Sequence, residues 1–217
     1  MVRRRTAVSI AAAALLLASP ALTACGSGPA QPGAAAVVGD QKITVSTLQS
    51  KVNEVRAAQA ASPQAAQMVS AGGKLSTQTL SMLVQNTVIE RAAADAGVTV
   101  SDGEVQQQYD AALQQFGGSK EALDATLLQQ YDIVPAGAEG FFRTNALVGK
   151  LIVSLGFQPG SDGGQTAVVS AISKTARDLG VKINPRYGAW DSKKAIIGDA
   201  TDPWVVDRTS SAVAPAA

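Results

Sequence analysis

The chain has 217 residues, 18 Lys+Arg against 17 Asp+Glu, no histidine and a single cysteine. So even a balance supplies no basic field for nucleic acid. Without histidine there is no Ser-His-Asp or Cys-His site, no imidazole proton shuttle and no histidine metal site, and one thiol closes no disulfide within the chain.

An enzyme built from this chain would have to run on carboxylates, lysines or hydroxyls, and its five glutamates are scattered. Gly72-Gly73-Lys74 lacks two features of a phosphate loop, because Met68 stands where a glycine is needed and Leu75 where a Ser or Thr is needed. Asp199, Asp202 and Asp207 lack the regular spacing of a calcium loop and read as solvated turn residues. The expectation is a protein without catalysis, cofactor, metal or nucleotide.

In chain order, Arg3-Arg4-Arg5 gives a basic start, Ala7 to Ala18 is an almost unbroken apolar run, and Leu22-Thr23-Ala24 places small residues before Cys25. The run is shorter than the roughly 20 residues that span a bilayer, so residues 1–24 read as an export signal. The segment ending in Cys25 resembles the lipobox of bacterial lipoproteins, in which the chain is cut before the cysteine and the thiol is acylated. An ordinary secretory signal with an incidental cysteine is the alternative; the lone cysteine at the one position the motif requires favours lipid attachment at Cys25. Loss of the three signal arginines leaves 15 basic against 17 acidic residues, with no polybasic clamp for anionic lipid. Attachment would rest on acyl chains, of which stable anchoring needs more than one. The expected location is the extracytoplasmic face of the cell membrane.

Residues 25–35 have linker composition, with small residues, glycine and proline. Order is expected from Ala36, where Ala36-Val37-Val38, Gly39-Asp40 and Gln41-Lys42-Ile43 read as strand, tight turn and strand. A first helix is predicted from Val45 to Ala61, with Thr44 or Ser46 as cap and Pro63 marking its end. A second runs from a Ser76 cap to Ala96, with Leu80, Leu83, Val84 and Val88 at helical spacing and Gly97 as stop. Ser101-Asp102-Gly103-Glu104 is a capping box opening a third helix through Gln115. Ser119 and Pro135 introduce a fourth and a fifth. Residues 156–164, with four glycines and a proline, form the clearest internal break. A sixth helix carries Val168, Val169, Ile172, Ala176 and Leu179 to a stop at Gly180. Val181-Lys182-Ile183 then reads as a short strand, residues 184–190 as a turn-rich segment, and residues 208–217 as a disordered tail. The two end segments are too short to stand alone, so they are expected to pair and close one domain spanning residues 36–207.

Four segments together resemble the SurA N-terminal domain family, which groups with the PrsA foldases and, in fold, with the peptide-binding part of trigger factor. They are Ala36 to Thr44, Leu83 to Tyr109 with its Ala96-Gly97-Val98-Thr99-Val100-Ser101-Asp102-Gly103-Glu104-Val105 passage, Gly117 to Leu123, and Val181 to Trp190. The resemblance implies a mainly α, chaperone-type domain with a small β element formed by its first and last segments. Many relatives carry a parvulin prolyl-isomerase domain between the fifth and sixth helices. Here only residues 156–164 stand in that place, so the resemblance implies a binding domain without its isomerase.

Tyr109, Phe116, Tyr131, Phe141 and Phe142 are the candidates for lining a cleft for unfolded polypeptide, against the plainer reading that they fill the helical core. Arg186 and Tyr187 are candidates for contacting a ligand backbone, against a role in the turn that docks the last strand. The expected partners are exported, incompletely folded polypeptides, bound without chemistry. An accessory lipoprotein recognising one fixed envelope partner is the alternative.

Overall fold

The computed structural model describes residues 32–71 and 74–198. Cys25, the signal segment, Gly72-Gly73 and everything from Asp199 onward lie outside the described residues.

The chain opens with β1 (Ala34–Val38), antiparallel to β2 (Gln41–Thr44) across the Gly39-Asp40 turn, where Gly39 takes a φ of +61°. β1 also pairs antiparallel with β3 (Lys182–Ile183), so the N-terminal strand is the centre of the sheet β2-β1-β3. The expected pairing of the two end segments is thus present. The strand starts earlier than expected: Ala34 and Ala35, assigned to the linker by composition, are fully buried. A third contact explains this. Asn184 donates from its backbone N to the Ala35 carbonyl (2.9 Å) and from Nδ2 to the Ala34 carbonyl (3.1 Å), which uses polar backbone groups that burial would otherwise leave unpaired.

Among the described residues seven α-helices follow: α1 (Val45–Ala61), α2 (Ala65–Ala71), α3 (Leu75–Asp95), α4 (Asp102–Gln115), α5 (Lys120–Tyr131), α6 (Ala138–Ser154) and α7 (Asp162–Asp178). Side-chain caps start most of them. Thr44 Oγ1 accepts from the Thr47 amide, Ser119 from Ala122 and Ser161 from Gly164, and Ser101 with Glu104 closes a full capping box. Two starts differ from expectation. α2 was not foreseen; Pro63 ends α1, but the Ser62 hydroxyl accepts from the Gln64 amide and begins a new turn that buries Met68. α3 starts at Leu75, with Lys74 rather than Ser76 as N-cap, because the buried Leu75 fixes the first turn by packing.

α3 is the axis of the molecule. Its Leu80, Val84 and Val88 are fully buried among Leu48, Val52 and Val55 of α1, Leu151 and Ile152 of α6, and Val168, Ile172 and Ala176 of α7. Burial of each such side chain contributes about 1.5–3 kcal/mol. A second cluster joins Val105 of α4, Leu123 and Leu127 of α5, and Phe142 of α6.

α7 begins inside the glycine-rich stretch, so the break is narrower than residues 156–164. Gly164 lies against Ile152 of α6, and a Cβ there would stand 2.8 Å from Ile152 Cγ2. After β3, a hairpin of β4 (Ala189–Asp191) and β5 (Ile196–Gly198) occupies part of the segment expected to be turns. It docks on α3, where Gln85 Nε2 donates to the Ala195 carbonyl (2.7 Å) and Ser81 Oγ accepts from the Ile197 amide (3.1 Å).

Candidate functional site

α1, α3, α6 and the turn after α5 enclose an open cavity of about 500 Å³. Its size falls within the range of ligand sites, ~300–1,000 Å³. α3 contributes Met82, Leu83, Asn86 and Ile89, spaced along one side of the helix; α6 contributes Phe141, Thr144, Asn145 and Val148 at i, i+3, i+4 and i+7. These are faces beside the core stripes, apolar with amides and hydroxyls interleaved. Asn86 and Asn145 make no side-chain hydrogen bond among the described residues, and the buried Thr79 hydroxyl on the same wall has no partner. The two amides, which are not fully buried, are polar groups available to a ligand backbone.

Gly140, on the cavity wall, has nothing within 4 Å of where a Cβ would stand. The wall there is open because a side chain is missing from α6, not because the helix is displaced.

The end of α5 closes one side. Tyr131 is its last residue, and Asp132 terminates it in the left-handed region with φ 55°, a conformation that an Asp or Asn tolerates. The Asp132 amide donates to the Leu128 carbonyl (3.2 Å), and its Oδ1 accepts from Gln59 Nε2 (2.9 Å), a buried residue of α1. Burial pushes the Asp132 carboxyl above the ordinary aspartate range, with the Gln59 hydrogen bond opposing. Lys51 and Glu54 of α1 also line the cavity and pair with each other at 2.8 Å.

The aromatic candidates split. Tyr131 and Phe141 lie on the cavity wall with ring centroids 5.2 Å apart, and Tyr131 is 52% exposed. Phe142 is buried in the second cluster, edge-on to Tyr109 at 5.6 Å, with Phe116 packed beside that cluster. Those three follow the core reading. Phe141 and Phe142 are themselves 5.4 Å apart, so a row of four rings runs from the second core to the cavity. Tyr187 is buried in the main core and its carbonyl accepts from Thr77 Oγ1 (3.2 Å), with the Arg186 guanidinium 5.1 Å over its ring. Both are away from the cavity, in the turn that docks the chain's end. Asn86, Asn145, Val148 and Asp132 were not among the residues expected at a site, and Met82 with Met68 reads from sequence as too few methionines for an adaptable binding surface. The available signal was the amide-and-apolar face of each long helix, one step round from its core stripe.

A smaller, mainly polar cleft of about 220 Å³ lies between the β1–β2 turn and α3, beside Asp40 and Arg91. Among the described residues there is no cluster of ligands for a metal ion, and no helix is long and apolar enough to cross a membrane.

The SurA-like N-terminal domain family matches residues 1–131, which takes in the sheet's first two strands and helices α1 to α5; α6, the far wall of the cavity, lies beyond that span. Comparison with curated proteins and with solved structures gives no significant match. With more than half of its length matched and a helical architecture closed by its end strands, the chain belongs to the SurA-like N-terminal domain family.

Proposed function

We propose that this protein is a chaperone-like lipoprotein, anchored through acylated Cys25 on the extracytoplasmic face of the membrane, that binds exported, incompletely folded polypeptides without catalysis. The observation that carries the reading is the open cavity between α1, α3 and α6, with Tyr131, Phe141, Met82 and Val148 as apolar contacts and Asn86 and Asn145 as uncommitted amides. An extended segment needs both. Its side chains leave water against the apolar wall, and its backbone finds donors and acceptors in place of water. Family membership supports the same reading, since a SurA N-terminal domain is of chaperone type.

The energetics fit a holding role. One or two large side chains entering the cavity gain about 1.5–3 kcal/mol each, and association and ordering costs offset part of that. Binding is therefore weak and quickly reversible, on the order of high micromolar to millimolar for a short segment. Release needs no nucleotide.

The experiment is suppression of aggregation of two unrelated unfolded clients, comparing the wild type with Gly140→Phe. The ring would project into the open wall without displacing any neighbour of its Cβ. The wild type should slow aggregation of both clients, and the variant should protect much less with no loss of melting temperature. Equal protection by the two proteins would place the activity elsewhere, and protection of one client alone would favour a dedicated partner.

A further inference from the structure

The cavity's charges are unbalanced. Three charged side chains line it, and two of them cancel: Lys51 Nζ lies 2.8 Å from Glu54 Oε2. The third, Asp132, has no cation. Among the described residues its carboxylate forms no ion pair, and its hydrogen-bond partner is the neutral amide of Gln59. The carboxylate is only partly hydrated and is held at the cavity edge by the Gln59 amide, 2.9 Å away. A partly desolvated, fixed and unpaired charge is the group that gains most when a ligand brings the opposite charge. Tyr131, the preceding residue, exposes its ring on the same wall, and an aromatic face also attracts a cation.

We propose that the cavity selects polypeptide segments in which a large apolar residue adjoins a lysine or arginine, with Asp132 receiving the cation while the apolar side chain enters between Phe141 and Met82. This rests on the polypeptide-binding reading above and adds a specificity determinant to it. A neighbouring Glu or Asp in the ligand is disfavoured, because it would face Asp132 without a compensating group.

The test uses three fluorescently labelled peptides that differ at one position, Gly-Ser-Phe-Lys-Ser-Gly and its Lys→Gln and Lys→Glu counterparts, titrated with the full chain and with Asp132→Asn. Asparagine tolerates the left-handed cap and its carbonyl oxygen still accepts from Gln59, so the fold is expected to persist, as a cooperative melt at or above the wild-type temperature would show. The wild type should bind the Lys peptide roughly 3- to 10-fold tighter than the Gln peptide, with the Glu peptide weakest. In Asp132→Asn the ratio should fall to about one, and raising the salt should narrow the wild-type ratio in the same direction. A wild-type ratio near one, or a ratio that survives Asp132→Asn, overturns the selectivity while leaving polypeptide binding standing. Failure of all three peptides to bind the wild type overturns both.

Discussion

Gln59 of α1 and Asp132 at the end of α5 are 73 residues apart in sequence and share a hydrogen bond of 2.9 Å at the edge of the cavity. It ties the helix that forms one wall to the turn that forms another. Removing its buried donor with Gln59→Ala leaves the Asp132 carboxylate half-buried and unpaired, and should destabilise the fold by about 1–3 kcal/mol in urea unfolding. Gln59→Glu should be at least as damaging, because it opposes two carboxylates.

Asp132 also sets a pH dependence. Its carboxyl is raised by burial, so the folded chain holds that proton more tightly than the unfolded chain does. The resulting penalty is fully present above the raised value and is relieved as pH falls below the ordinary aspartate value. Asp132→Asn removes it and should be as stable as the wild type or more so at pH 7, by no more than about 1 kcal/mol for a group still in contact with water. The advantage should shrink as pH falls through the raised value and vanish below the ordinary aspartate range, as urea midpoints at pH 7 and about pH 3 would reveal.

Glu104 behaves in the opposite sense. Hydrogen bonds from Lys150 Nζ (2.6 Å) and from the backbone and side chain of Ser101 hold its carboxyl down to about 2. Its contribution is therefore present above the ordinary glutamate range and lost as pH falls through about 2. Glu104→Gln should flatten the acid limb of the stability profile between those limits. Ser101→Ala, which removes the other half of the capping box and its hydroxyl's bond to Glu104, should cost about 1 kcal/mol near neutral pH.

Two helical glycines should respond oppositely to alanine. At Gly164 the new Cβ would meet Ile152 Cγ2 at 2.8 Å and the Gln158 carbonyl at 2.9 Å, so α7 must move off α6; a loss of ~1–3 kcal/mol is expected. Gly140 has open space, and Gly140→Ala should stabilise by up to about 1 kcal/mol through helix propensity. Thermal melts of the two variants should separate in opposite directions from the wild type. Deletion beyond Gly163 removes α7 and β3 together, and should abolish the cooperative transition rather than trim it.

For the proposed anchor, Cys25→Ala should eliminate incorporation of labelled fatty acid and move the protein from the membrane to the soluble fraction. Retention in salt-washed membranes would mean that something other than acylation holds it.

Helix starts were readable where the chemistry is local. Thr44, Ser101 with Glu104, and Ser119 each satisfy amides within three residues of themselves, so no tertiary knowledge is required. The β4–β5 hairpin was not readable, because its three-residue strands gain their support from Ser81 and Gln85 of α3, more than a hundred positions away. The cavity was half readable for a similar reason. Phe141 and Phe142 are neighbours in sequence and differ by about 100° around α6, which sends one to the cavity and the other to the second core. Composition cannot choose between them; the packing of α4 and α5 does. Asp132 carried no sequence signal at all, since its importance comes from a backbone conformation and a partner on another helix.

The most direct measurement is amide and methyl NMR of the isotope-labelled protein during titration with an unlabelled, permanently unfolded polypeptide. Saturable, fast-exchange shifts are expected, concentrated at Met82, Asn86, Phe141, Asn145 and Val148, and lost in Gly140→Phe. Shifts confined to the cleft beside Asp40 and Arg91, or spread evenly over the surface with the cavity residues unmoved, would contradict binding in the cavity.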